Sequence, residues 1–214
     1  MFPGELDRGK EGLLKISSEL ERQADIYKGL GISKDDIMGL LTPRPEGLPE
    51  DLNIPVVTLG TSVDITRQFE FVGIHWEHRP NDYFDITGSV AYDSPHLIWM
   101  QDGSKYIKRP TRWVVNKLGR DKFERPSTLN DCAAFAIVHP DLMGVLRDHD
   151  ILFPGTRLMG EHNPKLFVWN DHIYVKEYRL DVFDDREWDQ YHAGGKATSA
   201  CKELYVKPLG PAGY

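Results

Sequence analysis

The sequence has little cysteine: two residues in 214, Cys132 and Cys201. They lie far apart, and Cys132 falls in an apolar stretch, so neither a disulfide framework nor a CxxC metal site is expected. No apolar run comes near the roughly 20 residues that cross a bilayer. The opening MFPGELDRGKEG lacks both the charged-then-apolar order and the cleavage site of a secretory signal. The expectation is a cytoplasmic protein with reduced thiols. Positive charge is also short, with 26 Lys and Arg against 33 Asp and Glu and a formal net charge of -7. That excess repels phosphate backbones, and no local cluster of Lys and Arg is read as offsetting it, so no nucleic-acid partner is expected; the lack of an apolar run excludes a membrane span from the expectation. The sequence also lacks a phosphate loop. In GGKATS, Ala197 follows Lys196 where Ser or Thr is required, and the first glycine of the pattern is missing.

What is present is a chain that is 40% hydrophobic, enough for one sizeable core with a small appendage. Residues 1–10 carry Pro3, Gly4 and Gly9 and read as a flexible N-terminus. Leu13, Ile16, Leu20, Ala24 and Tyr27 recur every three or four residues and predict an amphipathic helix ending at Gly29 and Gly31. Ser33, followed by Asp35 and Asp36, starts a second, short helix. Residues 11–41 are thus an N-terminal helical pair. Residues 42–53, with three prolines and a glycine, are a Pro-rich linker without regular structure.

Residues 54–206 are read as the core domain and 207–214 as a flexible C-terminus. IPVVTLG predicts a short strand. SVDITRQFEFVG fits a strand and a helix equally, and the aromatic, His-rich 74–93 reads as one strand and a long loop. LIWM and SKYI flank Asp102-Gly103 as a hairpin, and KLFVWNDHIYVKEY predicts a second hairpin turning at Asn170-Asp171. Thr111 begins a helix over 111–118, followed by a basic loop. Thr128 with Asp131 forms a capping box for a strongly apolar helix over 128–138, terminated by His139-Pro140. HDILFPGTR is a strand stopped by Pro154-Gly155, and the tail ends in a short strand-like piece. The fold class expected is α+β, a mixed or mostly antiparallel sheet built from hairpins with helices packed on it.

The ordered set ELERQADIYKGLG, IPVVTLG, LIWMQDGSKY, STLNDCAAFAIVHPDLM, DILFPGTR, PKLFVWNDHIYV and HAGGKATSAC resembles an uncharacterised family of bacterial cytosolic proteins, a domain of unknown function (DUF5701-like). The resemblance spans roughly residues 11–205. It departs from that family in the His-rich 74–93 and in the Gly-Gly-Lys near the end. It implies a fold and no activity.

The chemistry-bearing residues are few. His75, Glu77 and His78 form H-W-E-H, the nearest approach to a metal cluster. On a strand His75 and Glu77 share a face while His78 points away, and no further ligand follows at a familiar interval, so no metal is expected. Asp148-His149-Asp150 sets an imidazole beside carboxylates, yet neighbours on a strand face opposite ways. Arg157 can take a carboxylate or phosphate bidentately, or form a structural ion pair. Trp99, Tyr106, Trp113, Trp169 and Tyr174 read as packing residues. Trp99, Tyr106, Gly194, Gly195 and Ser199 are the candidates for lining a pocket.

The function expected is a non-catalytic binding or interaction module without a cofactor; a further expectation is a helper or immunity-type protein whose 11–41 N-terminal helices grip a protein partner. The contrasting expectation is a hydrolase or transferase acting on small molecules, using His139, His149 and Arg157 around a pocket.

Overall fold

The computed structural model describes residues 3–76, 83–85, 92–106, 109, 111–139, 141–148, 150–158, 162–179, 196–197, 199–201 and 207–208. Helix α1 (Pro3–Tyr27) begins ahead of the amphipathic stretch, with Pro3 in the first helical position, where a missing N–H breaks no helical bond. The residues read as a flexible N-terminus therefore continue the helix. Its buried stripe is Ile16, Leu20, Gln23, Ala24 and Tyr27, while Leu13 and Leu14 stay exposed. A short 3-10 turn (Lys28–Leu30) leads to Gly31, whose φ of 87° closes the end. Helix α2 (Lys34–Met38) starts where Ser33 Oγ accepts the Asp36 amide.

Segment 42–53 carries neither helix nor strand, but it is packed. Leu48 and Leu52 lie in the main core, and the Arg44 guanidinium donates to the carbonyls of Leu48, Pro49 and Leu52. One cluster joins Leu20 and Tyr27 of α1, Ile37 of α2, these leucines and the strands that follow. The helical pair and the core thus share an interior.

Two sheets follow. In the first, β1 (Ile54–Thr58) runs antiparallel to β4 (His96–Gln101), with Val56 opposite Ile98. Strand β11 (Ser199–Cys201) lies between β4 and β5 (Glu124–Pro126), and β12 (Lys207–Pro208) joins β4. In the second, β10 (Lys196–Ala197), β6 (Ile151–Leu152), β8 (His162–Trp169), β7 (Thr156–Leu158) and β3 (Tyr83–Asp85) lie in that order. Strand β9 (His172–Arg179) pairs with β8, and β2 (Ile74–Trp76) runs parallel to β9. The fold is α+β, with mixed sheets that are mostly antiparallel.

The second expected hairpin is present: β8 and β9 join through Asn170 and Asp171 with φ of 49° and 59°, the two left-handed positions of a tight turn. The first is not. After β4, Gly103 alone has positive φ, and the Asp102 carboxylate accepts from the Ser104 amide and hydroxyl. That local cap is compatible with the 3-10 turn (Ser104–Tyr106) that stands where a returning strand was expected.

The ambiguous stretch is helix α3 (Ile65–Phe71), decided by Asp64, whose carboxylate caps the Thr66 and Arg67 amides. Helix α4 (Thr111–Arg120) buries Val114 and Leu118 in a small separate cluster with Tyr106 and Leu152. Helix α5 (Leu129–Val138) is buried almost throughout and packs on β1, α3 and α1. Helix α6 (Leu142–Asp148), unforeseen in the sequence, is capped by Asp141 accepting from the Gly144 amide. The Pro154-Gly155 turn docks onto α5: the Gly155 amide donates to Ser127 O, and Thr156 Oγ1 accepts the Leu129 amide. It thereby satisfies a free donor at the start of that helix.

Candidate functional site

A cleft of about 410 Å³ opens where α1, β1, β4 and the end of α5 meet. Its construction starts from a sheet edge. Among the described residues strand β1 has β4 on one side only, so Pro55 and Val57 direct backbone groups away from the sheet. Proline sits there without losing a ladder bond. Helix α1 supplies the missing partners. Gln23 Nε2 donates to Pro55 O at 2.7 Å, and Gln23 Oε1 accepts the Val57 amide at 2.9 Å. Tyr27 Oη donates to Val57 O at 2.5 Å. Burial raises the Tyr27 phenol far above its ordinary value, so it remains a donor. The α1 side chains thus imitate a neighbouring strand and close the edge.

One turn earlier, Glu19 organises the rim. It accepts from Arg22 Nε at 2.9 Å, Arg22 Nη2 at 2.6 Å and Gln23 Nε2 at 2.9 Å. The bond to Glu19 raises the Arg22 value further. Arg22 Nη2 also donates to Val138 O, placing a cation on the carbonyl end of α5. Ile16, Ile54, Pro55, Trp99, Phe135 and Val138 form an apolar lining, and Lys15, Glu19, Arg22, Asn53 and His139 supply its polar part. His139 follows α5 in extended conformation, its ring 5.0 Å from that of Phe135. No Ser, Thr, Cys or Asp lines the cleft among the described residues. The cleft thus combines an apolar lining with a charged rim.

Of the pocket candidates, Trp99 lines this cleft, while Tyr106 is buried beside α4. Ser199 lies on β11, where its backbone pairs with Gln101 and Pro126. Gly194 and Gly195 lie outside the described residues. Of the three residues proposed for catalysis, His139 lines the cleft, Arg157 stands on β7 opposite Phe84, and His149 lies outside the described residues.

His75 stands on β2 with its ring 5.4 Å from His172 and 5.2 Å from Tyr174; Glu77 and His78 are outside the described residues. Among the described residues no group of three or more His, Cys, Asp or Glu could hold a metal. Trp113 and Trp169, read as packing residues, are 45% and 60% exposed. Trp113 escapes the core because α4 turns Val114 and Leu118 inward, about 100° and about 140° around the helix from it.

Two buried polar clusters were missed. Arg125 holds Asp131 bidentately, at 2.6 and 3.1 Å, and Asp131 also accepts the Thr128 amide and hydroxyl. Burial alone would raise the Asp131 carboxyl, but the Arg125 charge and these bonds hold it below the usual range. Lys105 bridges Asp51 and the buried Glu124, whose other oxygen accepts from Tyr106 Oη at 3.2 Å. Burial lowers the Lys105 value and the bonds to Asp51 and Glu124 outweigh it, so the ammonium is held charged. The Asp131 signal lay in its capping box. Nothing in the sequence marked the second cluster.

Comparison with family models, with curated proteins and with solved structures found no match. No helix among the described residues is long and apolar enough to cross a membrane.

Proposed function

We propose that this protein is a non-catalytic binding module whose α1–β1–α5 cleft receives an apolar side chain of a protein partner. The observation that carries this reading is the cleft itself: an apolar lining with a charged rim, held open by side chains of α1 that are already hydrogen-bonded. Its volume of about 410 Å³ falls in the range of ligand sites. Leu13 and Leu14, exposed on α1 immediately before Lys15 and Ile16 of the cleft, support a protein as the partner.

The rim supports binding over turnover. Glu19 is engaged by Arg22 and Gln23, and the His139 ring lies against that of Phe135, 5.0 Å away. Cys132 is buried, and burial pushes its thiol well above its ordinary value. That fits a structural thiol in the reducing cytoplasm.

The test is ligand-detected saturation transfer with the N-acetyl amides of Leu, Phe and Trp as side-chain mimics, on the protein and on Asn53→Trp, which places a bulky ring at the cleft. Signal from at least one mimic that Asn53→Trp abolishes, with the mimic recovered unchanged, is the expected result. Signal that persists in the variant contradicts the reading. Conversion of a mimic favours the hydrolase or transferase reading built on His139.

A further inference from the structure

The chain's charge is not spread evenly. Residues 105–125, KYIKRPTRWVVNKLGRDKFER, hold eight of the 26 Lys and Arg against Asp121 and Glu124 alone. The remainder of the chain is correspondingly more acidic than the whole. Two of these cations are used inside the fold, Lys105 by Asp51 and Glu124 and Arg125 by Asp131. Arg109, Lys117, Arg120 and Lys122 are exposed, and none of the four forms an ion pair among the described residues.

Their arrangement follows from the helix. With Val114 and Leu118 inward, positions 113, 116, 117 and 120 fall on the solvent face of α4. Arg109, one turn before Trp113, extends the stripe. Its guanidinium lies 5.4 Å from the Trp113 ring centroid, and the Lys117 ammonium lies 5.3 Å from it on the other side in sequence. The outcome is an exposed Trp flanked by cations, with Arg120 beyond and no acidic side chain between Trp113 and Arg120. Favourable placement of cations at a helix C-terminus accounts for Lys117 and Arg120, but for neither Arg109 nor the 45% exposure of Trp113.

We propose that this face of α4, formed by Arg109, Trp113, Lys117 and Arg120, is a docking surface for an acidic polypeptide segment carrying an apolar side chain. Trp and Arg are the residues that dominate protein interfaces, and the apolar side chain meets the Trp113 ring while carboxylates meet the cations. Charge favours a short acidic segment over nucleic acid. A helix of ten residues is roughly 15 Å long, which matches a short acidic segment better than a long polyanion. The cations beside Trp113 also compete with a base for stacking on its ring. The surface is distinct from the cleft, and its test does not depend on it.

The test is fluorescence anisotropy with two labelled probes, a Glu-rich peptide of about twelve residues with one central Leu and an oligo-dT strand of similar length. The peptide should bind the protein and weaken as salt is raised. Binding should fall at least about tenfold, about 1.4 kcal/mol, in Lys117→Glu/Arg120→Glu and again in Trp113→Ala. It should persist in Lys34→Glu, which reverses an exposed charge on α2. Circular dichroism checks that each variant keeps the wild-type fold. Absence of peptide binding, equal binding by the double variant, or oligo-dT binding tighter than the peptide and lost in that variant would overturn the proposal.

Discussion

Asp131 closes a capping box, accepts two bonds from Arg125 and lies buried in the first turn of α5. Replacing it with Asn keeps the shape but leaves the Arg125 guanidinium buried without its counter-charge. We expect Asp131→Asn to lower stability by about 3–5 kcal/mol in urea unfolding. The pH dependence carries a sign. With its folded value below the unfolded value of about 3.9, Asp131 contributes stability that is fully present above that value. That stability is lost as pH falls through the folded one. Acid unfolding of Asp131→Asn should therefore be shallower than that of the wild type below about pH 4; identical slopes would remove Asp131 from the account. Thr128 and Asp131 were legible because a capping box is a local pattern. Arg125 was not, since a spacing of six from Asp131 implies no shared face, and its pairing arises only when β5 is set beside α5. Trp113 was misread for a similar reason: an aromatic residue does not announce which face of its helix it takes.

At the scale of elements, α1 is part of the fold because its side chains finish the first sheet. Gln23 serves both Pro55 O and the Val57 amide, so Gln23→Ala leaves two backbone groups of β1 without those partners. We expect a loss of about 2–3 kcal/mol and faster hydrogen exchange at the Val57 amide than in the wild type. An unchanged Val57 amide would mean that α1 does not close that edge. The apolar period of α1, the α5 helix and the Asn170-Asp171 hairpin could be read from the sequence, since each depends on near neighbours. The first hairpin could not. Asp102 serves an Asp-Gly hairpin and a 3-10 turn equally well, and the choice falls to Lys105 and Tyr106 meeting Glu124. Strand β11, set between β4 and β5, was legible only as a strand-like piece, because two strands distant in sequence give it its place.

For the molecule as a whole, net charge proved a poor guide to surface. A value of -7 conceals a basic helix face, because a sum carries no position. The fold class was legible, since it depends on the kinds of elements and not on their order. The cleft was not, because its walls come from residues 15–22, 53–55, 99 and 135–139, and only His139 and Trp99 were singled out beforehand. The proposed function puts the ligand in this cleft. It is tested most directly with protein labelled at isoleucine methyl groups, since Ile16 and Ile54 line the cleft while Ile37 and Ile151 are buried elsewhere in the same core. Titrated with N-acetyl-leucine amide or its Phe and Trp counterparts, the Ile16 and Ile54 methyls should shift together and saturably, leaving Ile37 and Ile151 in place. Shifts confined to other methyls, or none at Ile16 and Ile54 with any of the three, would contradict it.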